Sequence, residues 1–223
     1  MAFVDAVFDG QASLEGIVAH RIGAAQDALL VGSKANSIAV YTGPFDDLLA
    51  LTPWGVLVDA RMRKRIHAED QRTHAALVIG LGPGFTVGEN CHKAVETGWD
   101  DLGTILTKGS TASLRGEPRA ILGHARGRLV YAPSAGIFNS IRRIGDTVKN
   151  GETVGTIDGV PLSAPLSGIL RGLTRSGVRV DTGTKLIEID PRGDPASAFG
   201  LGERPQRIAE AVLRILTALP RLG

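Results

Sequence analysis

Short apolar runs bounded by glycine, proline, asparagine and aspartate recur along this chain, and their periods predict more strand than helix. Residues 13–22 carry Leu14, Val18 and Ile22 at even spacing, which predicts one strand with Gly16 and His20 between them. Residues 24–31 read as helix, 37–41 as strand and 44–51 as a short helix. Two runs, Gly-Val-Leu-Val-Asp at 55–59 and Ala-Ala-Leu-Val-Ile-Gly-Leu at 75–81, lack polar alternation and predict strands buried on both faces. Buried strands alternating with helices predict a small parallel α/β sheet. Residues 91–97 and 102–108, joined by Gly98-Trp99-Asp100-Asp101, predict a β-hairpin. Residues 193–202 form a Gly/Pro/Ser/Ala linker, and 204–219 then set Ile208, Val212, Ile215, Leu216 and Leu219 on one helical face between Pro205 and Pro220. This amphipathic helix is expected to dock on the chain's own α/β domain, with a partner helix as the alternative.

A second pattern is internal self-similarity. Residues 132–158 align without gaps on 164–190, an offset of 32, with ten identities in 27 positions, among them Ala132/Ala164, Gly136/Gly168, Gly145/Gly177, Val148/Val180, Gly151/Gly183 and Asp158/Asp190. Each copy offers short strands with one apolar face, and two such copies can bury those faces only against each other. The prediction is a flattened β-sandwich of roughly eight short strands with quasi-two-fold symmetry, Gly145 and Gly177 occupying equivalent turns. The pattern Ala-Pro-x-x-Gly-Ile, Gly-Asp-x-Val-x-x-Gly, Ala-Pro-x-x-Gly resembles the biotinyl/lipoyl hammerhead domain. In that family a lysine at the hairpin joining the halves carries the cofactor. Here the joint is Ile157-Asp158-Gly159-Val160-Pro161-Leu162-Ser163, with no lysine between Lys149 and Lys185. No covalently bound biotin or lipoate is therefore expected, and the module reads as structural or docking.

Composition narrows the class. With 43% hydrophobic and 22% charged residues the 223-residue chain is ordinary for a globular protein of one or two domains, and no apolar run reaches the ~18 residues of a membrane helix. Its N-terminus has no basic region and carries Asp5 and Asp9, which does not fit a secretory signal. The one cysteine, Cys91, excludes an internal disulfide, so a cytoplasmic location is expected. The net charge of +2 conceals 14 bases against 8 acids over residues 61–150. These bases are scattered and not interleaved with aromatics, so no nucleic acid partner is expected.

The candidate chemistry lies where the two buried strands end, the edge at which open α/β sheets bind ligands. Gly80-Leu81-Gly82-Pro83-Gly84-Phe85-Thr86 follows one strand. Its amides at Gly82 and Gly84 are positioned to meet an anion, although the same residues also fit a tight strand exit, and Pro83 removes one donor. The other strand runs into Asp59-Ala60-Arg61-Met62-Arg63-Lys64-Arg65, where Arg61 would offer a bidentate fork and Asp59 would hold it or accept from a ligand hydroxyl. The alternative is a solvated basic loop. As part of an exposed ion pair, Arg61 is expected to matter little for folding. Cys91 and His92 are adjacent, which suits a buried cysteine better than a nucleophile pair, and the five histidines lack metal-ligand spacing.

Taken in order, residues 56–61 (Val-Leu-Val-Asp-Ala-Arg), 77–84 (Leu-Val-Ile-Gly-Leu-Gly-Pro-Gly), Phe85-Thr86, His92, Glu96-Thr97, Leu102-Gly103 and the closing Asp190-Pro191-Arg192 resemble the selenium-dependent molybdenum hydroxylase accessory proteins. Those are relatives of xanthine and CO dehydrogenase maturation factors. Residues 3–10 resemble a segment of the same family. Such proteins usually begin with a Rossmann-like unit carrying Gly-x-Gly-Asp, which this sequence lacks. The resemblance implies a truncated Rossmann-like α/β domain at 1–125, an all-β hammerhead at 126–192, and a linker with the amphipathic helix at 193–223. It implies an accessory role for a molybdenum-containing hydroxylase or its maturation machinery, with molybdopterin or a nucleotide as the candidate ligand. That ligand would sit at Asp59, Arg61, Gly82, Gly84, Thr86 and His92. An enzyme acting on a small anionic or nucleotide substrate at the same edge is the alternative.

Overall fold

Helix α1 (Asp5–Asp9) leads into strands β1 (Gln11–Leu14) and β2 (Ile17–Arg21), so residues 13–22 form a hairpin where the spacing predicted one strand. The turn residues Glu15 and Gly16 have φ of +49° and +77°, the left-handed pair that a two-residue hairpin requires. Leu14 pairs with Ile17 and Ser13 with Val18, so the turn shifts the apolar parity by one residue and puts Leu14 and Val18 on opposite faces. Helix α2 (Asp27–Gly32) carries the chain to β3 (Ser37–Val40), which adds parallel to β2. These three strands form one sheet in the order β1-β2-β3. Helix α3 (Phe45–Leu49) follows, pinned by the Trp54 indole N–H donating to the Leu48 carbonyl at 2.8 Å.

The second sheet contains the predicted parallel strands. Strands β4 (Trp54–Asp59), β5 (Ala75–Leu81) and β6 (Lys93–Val95) run parallel in that order, and β7 (Ile105–Leu106) closes the edge as the antiparallel arm of the predicted hairpin. Strand β5 is buried along most of its length. Strand β4 is less so than predicted, because it lies at the sheet edge and leaves Val58 exposed. One face packs Ile79, Leu81 and Val95 against Ala211 and Ile215 of helix α4 (Glu203–Thr217), with Ile208, Val212 and Leu216 beside them. The amphipathic helix thus docks on its own chain. Leu219 is exposed and lies beyond its end. The opposite face packs Val78 and Ala94 against Ala68, Phe85 and Cys91, so a loop covers it instead of a helix.

The chain divides into two compact units, Met1–Leu114 with Gly202–Gly223, and Arg115–Leu201. The computed structural model describes residues 3–63, 67–113 and 118–219, so Lys64 and Arg65 of the basic run lie outside the described residues. Among these residues the protein is mixed α/β, mostly short strands with four α-helices.

The second unit holds β8 (Leu129–Tyr131), β9 (Gly136–Asn139), β10 (Thr147–Val148), β11 (Thr153–Ile157), β12 (Val160–Ser163), β13 (Gly168–Leu173), β14 (Val178–Val180) and β15 (Lys185–Asp190). They form two four-stranded sheets, β10-β13-β15-β8 and β14-β9-β11-β12. Strands β9 to β11 lie in the first sequence copy and β13 to β15 in the second, and β8 and β12 run just ahead of them. Exchanging the two sets converts one sheet order into the other. The registers exchange too. Val148 pairs with Gly168 as Val180 pairs with Gly136, and Leu170 with Ile189 as Phe138 with Ile157. Even the irregularity between Thr153 and Gly155 recurs 32 residues on, between Lys185 and Ile187. Gly145 donates to the Leu170 carbonyl and Gly177 to the Phe138 carbonyl, which makes their turns equivalent. Each sheet takes strands from both copies. Phe138, Val154 and Ile157 of one share a single buried cluster with Leu170, Leu186 and Ile189 of the other. The copies meet at a two-residue turn, Asp158-Gly159, with φ of +46° and +86°.

The two copies differ in how tightly they close. An added Cβ on Gly168 or Gly136 would press on a core isoleucine, Ile189 or Ile157 respectively. One on Gly168 would also overlap the Asp190 backbone carbonyl oxygen, whereas one on Gly136 would instead meet the Asp158 carboxylate, a side-chain end that can swing away. We expect Gly168→Ala to destabilise by about 3 kcal/mol and Gly136→Ala by about 1 kcal/mol, the span of overpacking costs. Urea unfolding of the two variants measures this, and equal losses would contradict the asymmetry.

Candidate functional site

Parallel strands β4, β5 and β6 end on one side of their sheet, because Asp59 pairs with Gly80 and Leu81 with Val95. The chain leaves them through residues 59–62, 82–84 and 96–97 respectively, and these three exits make the site. Asp59 has a side chain only 2% exposed. Its Oδ1 accepts from the Arg61 backbone N–H and Nε, each at 3.0 Å, and its Oδ2 from Arg61 Nη2 at 2.6 Å and Gln71 Nε2 at 2.5 Å. Burial alone would raise the Asp59 carboxyl, but the donors of Arg61 and Gln71 outweigh it and hold the group below its usual value. Arg61 also donates to Glu69 at 2.7 Å, and Glu69 accepts from Arg63. Arg63 first, then a backbone amide and Arg61, hold the Glu69 carboxyl down at about 2.

This arrangement changes the reading of Arg61. Its fork, expected to be open to a ligand, is committed to Asp59 and Glu69. Its pair with Asp59, expected to be exposed, holds a carboxylate that is buried. The same clip, in which an aspartate accepts from the backbone and side chain of the arginine two residues on, recurs at Asp70-Gln71-Arg72 and at Asp190-Pro191-Arg192.

Gly82 and Gly84 have φ of +89° and +87°, a conformation that side chains seldom adopt. The Gly82 amide, expected to face an anion, donates to the Val95 carbonyl at 3.1 Å and so belongs to the sheet. The Gly84 amide meets no acceptor among the described residues, while its carbonyl accepts from the Ala68 amide at 3.2 Å and Asn90 Nδ2 at 3.0 Å. Thr86 lies in the following loop, its amide on Asn90 Oδ1 and its hydroxyl 2.8 Å from Ser110 Oγ. His92 stands beside the middle of β5, its Nδ1 accepting the Val78 amide at 2.9 Å. The structure thus brings Asp59, Arg61, Gly82 and Gly84 to one edge, and sets Thr86 and His92 away from it in supporting roles. Cys91 is buried, and that burial pushes its thiol up to about 11, too high for a thiolate nucleophile. Among the described residues no three His, Cys, Asp or Glu side chains cluster as a metal site.

Four residues at or under this edge were not among the expected site residues, although Thr97 stands in the motif set. Gln71 satisfies Asp59, and Asn90 ties the glycine turn to Ala68. Thr97 is buried at the end of β6 with its hydroxyl unpartnered, and Arg204 donates from Nε to the Thr97 carbonyl at 2.8 Å. Applying the strand-end rule to β6 as well would have found Thr97, whereas Arg204 comes from the far end of the chain and leaves no local signal. Two clefts, of about 550 Å³ over β1 to β3 and about 360 Å³ between residues 102–105 and α4, are lined by none of the expected site residues.

A mixed α/β unit with a built polar edge, joined to an all-β unit of two interleaved copies, is the class of protein these features define. No family model matches the chain. It is 34% identical over 226 residues to the uncharacterized protein YqeB of Escherichia coli (strain K12), an alignment covering 100% of this chain. The chain spans 41% of that relative's length. A product-bound structure of the ectoine utilization protein EutE (DoeB) from Ruegeria pomeroyi is 17% identical over 38% of this chain and 27% of that one, with a TM-score of 0.28, too low to bear on the fold. No helix among the described residues is long and apolar enough to cross a membrane.

Removing Arg61 leaves a buried carboxylate with Gln71 as its remaining side-chain donor among the described residues. Arg61→Ala is therefore expected to cost about 3 kcal/mol in chemical unfolding, the range for breaking a buried pair from one side. Adding Asp59→Asn should recover part of that loss, and a single-variant loss below about 1 kcal/mol would contradict the buried clip.

The same carboxylate sets a pH dependence. Its folded pKa lies below its unfolded one, so its contribution is complete above the unfolded value near 3.9 and is lost as pH falls through the folded value. The stability gap between wild type and Asp59→Asn should stay constant from about pH 5 to 7 and shrink below about pH 4. A gap that widens toward acid would reverse the sign.

Proposed function

We propose that this chain is an accessory protein for a molybdenum-containing hydroxylase, acting by docking and by holding an anionic cofactor precursor such as molybdopterin or a nucleotide. What carries this reading is the ordered set of motifs that resembles the selenium-dependent molybdenum hydroxylase accessory proteins. Its geometry supports the reading: Asp59-Ala60-Arg61, Gly82-Pro83-Gly84 and Glu96-Thr97, far apart in sequence, converge where three parallel strands end. Gly103 of the same motif set packs against the Arg207 carbonyl of α4, where a side chain would crowd the helix. On this reading the first unit is a Rossmann-like domain and the second a hammerhead, the latter favoured by the strand exchange between the two copies. The hammerhead joint presents Asp158 and Gly159, which offer no amine for biotin or lipoate. An enzyme turning over a small anionic or nucleotide substrate at the same edge is the second reading, favoured by the partnerless hydroxyl of Thr97 there.

Deleting the gene should leave the hydroxylase polypeptide at its normal level but inactive, and supplying the chain should restore activity. Immunoblotting beside a hydroxylase assay tests this, and full activity without the chain would end the proposal. Incubation with nucleotides and molybdopterin should give binding without conversion, whereas turnover would select the enzyme reading.

A further inference from the structure

We propose that the ends of β5 and β6 form an oxyanion site whose donors are the Thr97 hydroxyl and the Arg204 guanidinium. This deepens the anion-binding part of the function proposed above and rests on it for the class of ligand. Thr97 is 1% exposed and its Oγ1 has no hydrogen-bond partner. Buried hydroxyls are rarely left unpaired, so one that idles at a strand end marks a place where another group docks.

The hydroxyl points at the turn that was expected to hold an anion. A Cβ built on Gly82 would lie 2.9 Å from Thr97 Oγ1 and 3.6 Å from the end of the Met62 side chain. Glycine at this position lets the hydroxyl lie directly against the turn, where any side chain would collide with it. Arg204 enters from the first turn of α4, its Nε fixed on the Thr97 carbonyl. Its guanidinium is partly buried, burial pushes its pKa down, and no carboxylate pairs with it among the described residues. An unpaired cation thus stands beside an unpaired hydroxyl. The nearby carboxylates are engaged elsewhere: Asp59 in its clip with Arg61, and Glu96 on the Ala112 amide. A phosphoryl or carboxylate oxygen would accept from both donors and neutralise the guanidinium, with the Gly84 amide on the same turn. Arg204, rather than Arg61, is then the cation that meets the ligand.

The test is thermal unfolding of the full chain titrated with inorganic phosphate and, separately, with acetate, ionic strength being held constant with sodium chloride. Saturable stabilisation by phosphate alone assigns a phosphoryl group, and by acetate as well a carboxylate. Thr97→Val keeps the shape and removes the hydroxyl. It should weaken binding tenfold or more while leaving the ligand-free Tm unchanged or raised, and Arg204→Gln should abolish the response. No response beyond sodium chloride, undiminished binding by Thr97→Val, or a lowered ligand-free Tm in that variant would overturn the site. The two proposals fail separately. If Thr97→Val still restores hydroxylase activity while binding is lost, docking stands without the site. If phosphate binds but the hydroxylase never needs the chain, the site stands without the accessory role.

Discussion

A carboxylate that ends a strand inside a protein must receive donors at once, because water does not reach it. This chain meets that constraint by one local device. The residue two positions on is arginine, whose backbone amide and side-chain fork turn back onto both carboxylate oxygens. At Asp59 the clip fixes the exit from β4 and hence the wall of the candidate site. At Asp190 it ends β15, where the carboxyl is fully buried and, chiefly through Arg192, is held at about 2. At Asp70 it is exposed and shapes the segment that delivers Gln71 to Asp59. The clip therefore connects the geometry of the edge to stability, and its arginines are not free to serve ligands.

The second organising constraint is the repeat. Two copies that each present one apolar face could have stacked as separate layers. They exchange strands instead, so each sheet is completed by the other copy and one core serves both. One divergence between the copies falls at their closing aspartates. Asp158 receives the Ile137 amide in an open two-residue turn, while its counterpart Asp190 is buried under Arg192 and Arg171.

Much of this architecture was legible in the sequence, for physical reasons. The offset of 32 carried the second unit, because turn glycines and apolar positions repeat with the backbone that needs them. The period of α4 carried its docking face. Misreadings arose where the deciding partner was remote or where a turn hid in the pattern. Glu15-Gly16 preserved an apparent alternation across a hairpin. Val58 looked buried because a run of apolar residues does not say whether a strand lies at an edge. Arg61 looked free because the burial of Asp59 depends on Gln71 and on the sheet around it. Thr97 and Arg204 are 107 positions apart, and nothing in either neighbourhood announces the other.

Helix α4 also has a consequence in time. The face of Ile79, Leu81 and Val95 waits for a helix that begins at Glu203, with the whole second unit in between. At about 5–20 residues per second, a ribosome takes on the order of ten seconds to pass from one to the other. By the end of that interval the later-encoded β unit has all its strands, while the earlier-encoded sheet is still open on one side. The order of synthesis and the order of completion are therefore reversed, and a chaperone that binds nascent apolar strands would find its target in the first unit.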